Sequence, residues 1–421
     1  MRRSLFLALV TFTLGLTASA EVTLSREEVL RLALNQNPNV KAARARWSMM
    51  KERVPQARAW EDLMAGVDFQ RMGTTSLTNV NDAEWMISQV VPVSGKNRSR
   101  ERAAAAEALG AYQELRRAQL DVANRAQTAY IRLAGAYGQL EINRRNQELL
   151  KQFTNISRGK YEVGTATQSD VLLSETEEGR LSESKAMFER DVSDQQSQLN
   201  VLLNRPAKSP LARPEPLTFQ PPTLGADKAE ALAAAHRPEV LLASRKVEAE
   251  KARLELAHRQ WIPDPQLRVA ARQFSPTSGI REYDTGIFFS VPWANRTKYK
   301  AAVAEAADSL ENAVYLTAAA RIEASGLVRD QLKKIETFAT NYRLFHERIA
   351  RTASMAVEST RAGYETDKNS FLELITAQRN LQDVESAALN QLIEHQVAVA
   401  ELESVVGASR FVSEGKETVS K

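Results

Sequence analysis

Cysteine is absent from all 421 residues, which excludes a disulfide framework, a thiolate metal site and a lipid-modified N-terminal cysteine. Aromatic side chains make up only 6% of the chain and charged ones 26%, a balance that suits long solvated helices better than one thick globular core. A dominant charge is missing too. Fifty-six basic and 52 acidic residues leave a formal +4, and with both signs interspersed there is no nucleic-acid footprint. Beyond the first twenty residues no apolar run approaches the length of a membrane-spanning helix. There is no phosphate loop, no His-Glu-x-x-His, no glycine-rich dinucleotide turn and no cysteine nucleophile, so an enzyme is not expected. The four histidines, His236, His258, His346 and His395, are dispersed without a second histidine at helical spacing. Neither a metal site nor a cofactor is expected from them.

What is present begins with a secretory signal over residues 1–20: Arg2-Arg3, an apolar core from Leu5 to Leu16, and Ala18-Ser19-Ala20 as a cleavage pattern. The chain then repeats itself. Leu32-Ala33, Pro38, Val40 and Ala43 return as Leu232-Ala233, Pro238, Val240 and Ala243. Val91-Pro92 returns as Val291-Pro292, Ala103-Ala104, Ala106 and Glu107 as Ala301-Ala302, Ala304 and Glu305, and Arg158, Tyr161 and Glu162 as Arg361, Tyr364 and Glu365. The offset stays between 198 and 203. That is too long for a solenoid and marks a duplicated structural unit. The first copy is expected over 21–204 and the second over 227–407. A linker (205–226) joins them, with six of the 14 prolines between Arg205 and Pro222, and a disordered tail (408–421) follows.

Each copy opens on a shorter helix, where Ser25 with Glu28 and Asp227 with Glu230 have capping-box spacing. The Met49-Met50 pair falls on such a stretch and is expected to pack in the core. Long helical hairpins close each copy, over about 97–204 and 298–406, with tips at Val163-Gly164-Thr165 and Thr366-Asp367-Lys368. Leu115, Val122, Ala129 and Ala136, with Ala126, Leu133 and Leu140, form a coiled-coil stripe whose alanines permit close helix approach. Between short helix and long hairpin the period changes to two. Leu63, Ala65, Val67 and Phe69 alternate with Gly66 and Asp68, and Trp85, Ile87 and Val91 continue on odd numbers. Leu267, Val269 and Ala271, then Tyr283, Ile287, Phe289 and Val291, do the same in the second copy. These are β-hairpins, about 63–92 and 266–292, each with one apolar and one polar face. Either the apolar faces pack together as a small sandwich, or they face lipid. In lipid the sheet must close into a barrel, which four strands cannot do alone, so several chains would share one.

The joint Gln89-Val90-Val91-Pro92-Val93-Ser94-Gly95-Lys96-Asn97-Arg98 resembles the barrel exit of the TolC family of outer-membrane efflux ducts. Arg158-Gly159-Lys160-Tyr161-Glu162-Val163-Gly164-Thr165, followed by Asp170, is similar to that family's hairpin tip. The resemblance implies a mainly α fold with β: long coiled-coil hairpins forming an α-barrel, and four strands per chain in a shared twelve-stranded outer-membrane barrel of a homotrimer, projecting into the periplasm. It also implies a periplasmic adaptor and an inner-membrane resistance-nodulation-division pump as partners, with lipid around the barrel. The Ser-Gly-Lys-x-Arg joint and compact length are most like the heavy-metal (CzcC- and CusC-like) branch, so heavy-metal cations are the expected cargo. Multidrug efflux and type I secretion use the same architecture, and a periplasmic coiled-coil scaffold is the rival from another class.

Carried over residue by residue, the resemblance places Asp170 and Glu373, each nine residues after a tip tyrosine, on the pore wall at a periplasmic gate. Rings of such carboxylates attract cations and repel anions, although both are also first-turn acids that a helix dipole favours. Tyr364 matches a tyrosine that holds the entrance closed. Asn369 stands where the family often carries arginine, which puts the usual entrance ion pair in doubt. Adaptor docking falls on Val163, Gly164 and Thr165, which fit the family pattern, and on Thr366, Asp367 and Lys368, which depart from it.

Overall fold

The structure is a computed structural model that describes residues 23–70, 82–221, 224–274 and 279–407. The expected signal peptide and tail, and parts of both strand-connecting loops, lie outside the described residues. In chain order the elements are α1 (Arg26–Gln36), α2 (Pro38–Arg58), β1 (Met64–Gln70), β2 (Asp82–Val90), α3 (Lys96–Glu162), α4 (Gln168–Leu202), α5 (Ala226–His236), α6 (Pro238–Arg259), β3 (Gln266–Gln273), β4 (Glu282–Phe288), α7 (Arg296–Arg343), α8 (Ala350–Glu365) and α9 (Phe371–Val406). A six-residue π-helix, Leu344–Ile349, joins α7 to α8 without a break, and a short 3₁₀ turn, Pro292–Asn295, precedes α7.

The helix α3 has 67 residues and therefore runs about 100 Å at 1.5 Å per residue. Its stripe is buried at Leu115, Val122, Ala126, Ala129 and Leu133, with Ala126 and Leu133 fully enclosed, and half-buried at Ala136 and Leu140. Glycine extends the close approach. A Cβ at Gly135 would lie 2.3 Å from Cδ1 of Ile393, so α9 crosses α3 where no side chain intervenes.

The expected short opening helix is two helices in each half. Pro38 and Pro238 occupy the first turn of α2 and α6, where a missing N–H costs nothing. The chain turns at Asn37 and Arg237, both extended. These corners plug helix ends: Asn37 Nδ2 donates to the carbonyl of Leu202 at 3.1 Å, and Arg237 Nη1 donates to that of Val405 at 3.2 Å. One joint is thus built twice with different side chains. Consequently α4 lies along only the tip-proximal part of α3, and α2 packs on the remainder.

Local expectations fared unevenly. Ser25 Oγ accepts from the Glu28 amide at 3.2 Å. Asp227 caps nothing, because α5 starts at Ala226 behind Gly225, and Glu230 instead binds Arg329 at 2.7 Å and Ser325 at 2.9 Å. Met49 is exposed rather than in the core. Phe289 and Val291 fall beyond β4, where the chain is already turning into the 3₁₀ segment.

The four strands form one antiparallel sheet in the order β1-β2-β3-β4. The two hairpins do not face each other as a sandwich; they pair side by side through β2 and β3, with Ile87 opposite Val269.

The linker is an extended strap pinned to both halves. Leu24 donates its N–H to Arg213 at 3.0 Å, and the hydroxyl of Tyr130 donates to Leu24 and accepts from the Glu215 amide. Farther on, Phe219 lies 5.0 Å from both Tyr342 and His395, and Tyr342 stacks on His346 at 5.2 Å, just where the π-helix begins. His395 is buried, and neither ring nitrogen has a hydrogen-bond partner among the described residues. Burial, aided by the Arg343 cation, holds its pKa below the usual value. The unfolded chain takes up this proton near pH 6.5 and the folded chain does not, so stability is present above that pH and falls below it. Thermal melting should therefore drop from about pH 7.5 to 5.5, and His395→Phe should flatten that slope; an equal slope in the variant removes His395 as its cause. Carboxylates held low, such as Glu177 and Glu373, act only below about pH 4.5.

Candidate functional site

Two regions carry chemistry, the sheet and the hairpin tips. In the sheet the register places Ala65, Val67, Phe69, Ala83, Trp85, Ile87, Leu267, Val269, Ala271, Tyr283, Thr285 and Ile287 on one face. None of the described residues covers it: Trp85 and Ile87 are each 52% exposed although they sit in a central strand. The opposite face carries Asp68, Glu84, Ser88, Arg268, Arg272 and Asp284. There Arg268 pairs with Glu84, Arg272 lies 3.8 Å from Asp82, and Gln266 donates to Ser88 at 3.0 Å. Greasy outside and polar inside is inverted relative to a water-soluble protein, and it is the pattern of a transmembrane strand. Strands β1 and β4 each keep one unpaired edge, which a bilayer does not permit in an open sheet. No described helix is long and apolar enough to cross a membrane.

The sheet meets the helices at Ser94-Gly95-Lys96. Gly95 takes φ +75°. Asp264, leading into β3, accepts from the Ser94 amide at 2.8 Å, the Ser94 hydroxyl at 2.9 Å and Lys96 Nζ at 3.0 Å. This enclosed pair bolts the β2–α3 exit to the α6–β3 entry, so both halves leave the sheet at a fixed angle.

At the far end, α3 and α8 finish with the same turn. The amide of Thr165 donates to Lys160 O at 2.9 Å and that of Lys368 to Gly363 O at 2.8 Å, each five residues back, as in a Schellman motif. The residue needing the left-handed conformation is Gly164 (φ +78°) in one tip and Asp367 (φ +61°) in the other. The second tip departs from the first in side chains, not in backbone. Aspartate is among the few residues that tolerate this geometry, and its carboxylate gains a partner: Lys160 Nζ donates to Asp367 Oδ1 at 2.6 Å and to the carbonyl of Tyr364. The same ammonium sits 4.8 Å from the centre of the Tyr364 ring. Lys160 was not among the expected site residues; a lysine one residue before a tip tyrosine has no sequence mark distinguishing it from surface lysines.

Tyr364 is buried, tilted on Phe371 with ring centres 5.3 Å apart. Burial raises its pKa, and the neighbouring charges of Asp170 and Asp367 add to the rise. Asp170, at the start of α4, is close enough for its charge to act on Tyr364 of α8, but the Tyr364 hydroxyl has no hydrogen-bond partner among the described residues. Asp170 also accepts from the Thr167 hydroxyl at 3.0 Å. Glu373 is used locally: it closes a capping box with Ser370 and accepts from Asn369 at 2.9 Å. These bonds, Asn369 first, hold its pKa low. Asn369 therefore serves Glu373, and Lys160 with Asp367 forms an ion pair from one tip to the other. Val163, Thr165, Thr366 and Lys368 are exposed. Deeper along the hairpins, Arg379 of α9 grips Glu177 of α4, with Nε 3.0 Å from Oε2. Burial pushes the Glu177 carboxyl up, but Arg379 and Arg180 outweigh it and hold it low.

A long helical hairpin pair below an inverted four-stranded sheet is the architecture of outer-membrane efflux channels, and the outer membrane is this protein's place. Residues 29–205 match the family model described as outer membrane efflux protein. Over 354 residues, 77% of this chain and 69% of the relative, the sequence is 24% identical to the toluene efflux pump outer membrane protein TtgF of Pseudomonas putida. Among solved structures, VceC of Vibrio cholerae aligns at TM-score 0.77 with 18% identity, covering 91% of this chain and 96% of that one. CusC aligns at TM-score 0.80 with 16% identity, covering 92% and 93%. The architecture expected from sequence, helical hairpins with four barrel strands, is the one observed, and it is a channel fold.

Proposed function

We propose that the protein is the exit duct of a tripartite efflux assembly, a homotrimer whose three sheets close into one barrel and whose hairpins continue the conduit through the periplasm. The observation that carries this reading is the uncovered odd-numbered face across all four strands. A periplasmic coiled-coil scaffold would have to hide that face and cannot with the elements it has. A periplasmic adaptor docks on Val163, Gly164 and Thr165 and on Thr366, Asp367 and Lys368, and an inner-membrane resistance-nodulation-division pump supplies the energy. The gate comprises Asp170, Glu373, Tyr364 and Asn369; repeated by three-fold symmetry, Asp170 and Glu373 line the entrance and favour cations.

Heavy-metal cations are the cargo supported by the resemblance of the Ser94-Gly95-Lys96 joint to the heavy-metal branch. A second reading, organic solutes, is favoured by the relative named for toluene efflux. Deleting the gene and challenging cells with a panel of divalent and monovalent metals, then of organic solvents, separates them: sensitivity to metals alone supports the first, to solvents alone the second, and to neither refutes efflux of both.

Gly164 supplies the test of docking. It has open space around it but a left-handed backbone, so Gly164→Val strains and fills the tip at a cost of about 1 kcal/mol or more without touching the sheet. Trimers should form at wild-type level while resistance falls to that of the deletion strain. Normal resistance in this variant sinks the docking role.

A further inference from the structure

Helices α2, α3, α6 and α7 enclose a groove of about 550 Å³. Its floor is Ala106, Gly110 and Ala111 of α3, Leu242 and Ala249 of α6, and Ala313 of α7. Met50 of α2, half-buried, forms one wall. The floor positions of α3 carry no more than a methyl group each, which keeps the groove open although α3 and α6 pack closely. A Cβ at Gly110 would lie 3.3 Å from Leu242 Cδ1. The groove opens on the water side of the chain. Lys96, Ala103 and Gly110 recur every seven residues along α3 and so share one face. At the joint, Lys96 lines a second cavity together with Gln266 and Phe288, which belong to the even, polar face of the sheet.

Each carboxylate around the groove already has a guanidinium. Glu107 and Glu250 share Arg253, Glu114 lies 3.0 Å from Arg46, and Glu239 lies 3.3 Å from Arg237 and 3.4 Å from Arg117. A cation therefore meets neutralised groups. Lys246 has no counter-ion among the described residues, but it is exposed, and an exposed ion pair contributes little. What remains for a solute is the apolar floor, where a charged group would lose water without gaining a partner.

We propose that this groove is a transit site on the wall of the conduit for an uncharged organic solute with an apolar body. Its volume falls in the range of about 300–1,000 Å³ that holds drug-sized molecules. A conducting path needs sites weak enough to release what they bind, and a floor of methyl groups binds weakly. The inference rests on the duct reading above and adds the chemistry of what pauses on the wall.

The chain has no cysteine, so Met50→Cys places a single thiol on the groove wall. Ser182→Cys, at an exposed position of α4, is the reference. The probes are N-phenyl-1-naphthylamine, which is uncharged, and its 8-sulfonate, which adds one negative charge to the same rings. On the purified trimer the uncharged probe, near saturation, should slow alkylation of the thiol at position 50 by about three-fold or more. It should leave position 182 unaffected and protect better than the sulfonate. Adding Ala243→Phe, which fills the groove from α6, should abolish that protection while trimers persist on unheated gels. With trimers present, no protection at position 50, equal or better protection by the sulfonate, or protection that survives Ala243→Phe each overturns the proposal and leaves the duct reading standing. Absence of any oligomer from the unmodified chain overturns the duct reading itself, and the transit role with it.

Discussion

Arginine in place of Ile87 is expected to remove the protein from the outer membrane as an assembled species. Ile87 sits mid-strand between Ala65 and Val269 on the odd face. A guanidinium on the lipid side of a barrel strand costs about 2–4 kcal/mol near the bilayer midplane. In a trimer every copy carries it, so the assembly loses about three times that amount, comparable to the whole stability of a typical domain. Asp68→Arg lies three strand rungs away but on the polar face, where water solvates the charge, and should leave the trimer level unchanged. The measurement is the amount of heat-sensitive oligomer in extracted outer membranes. Equal levels for Ile87→Arg and wild type would mean that the odd face does not meet lipid.

The second large effect lies at the tips. Lys160 ties the two hairpins of one chain together through Asp367, the Tyr364 carbonyl and the Tyr364 ring. A single such contact, with Asp367 largely exposed, contributes on the order of 1 kcal/mol or less, but the ring contact and the enclosed lysine are lost with it. Lys160→Ala should let the tips separate and raise the open probability in planar bilayers by about 5- to 30-fold, the effect of shifting a two-state gate by about 1–2 kcal/mol. Removing Asp170 and Glu373 as alanines in the same recordings should cut cation preference. An open probability indistinguishable from wild type would show that Lys160 only packs the tips. Unchanged selectivity would leave Asp170 and Glu373 as helix-cap acids and nothing more, the role in which Glu373 is already seen.

Much of this was legible in the residues because periodicity is a direct record of environment. Odd-numbered valine, tryptophan and isoleucine mark a two-faced strand, and the offset near 200 marks two equivalent units, so the elements and their duplication follow from pattern, while the shared barrel is what the resemblance to the TolC family implies. Side-by-side pairing of β2 with β3 was not legible. A sandwich and an open sheet place the same residues on the same faces, and only the register distinguishes them. The π-helix at Leu344–Ile349 carries no proline or glycine, and Phe219, which stacks on Tyr342 just before it, comes from more than a hundred residues earlier in the chain. At the second tip, Thr366-Asp367-Lys368 reads as a divergence from Val163-Gly164-Thr165, yet the backbone turn is the same. The substitution exchanged a glycine's freedom for a carboxylate that binds Lys160, and a long-range pair of this kind leaves no spacing to read.

Label accessibility along the strands tests the central claim most directly. Single cysteines placed one at a time at 65, 67, 85, 87, 269 and 287, and at 66, 68, 84, 86, 268 and 284, can each carry a spin label on this cysteine-free chain in outer-membrane vesicles. The account predicts that labels at the odd positions are quenched by an apolar agent dissolved in lipid, and labels at the even positions by a water-soluble one. Equal access of the water-soluble agent to both sets, or its preference for the odd set, would contradict it.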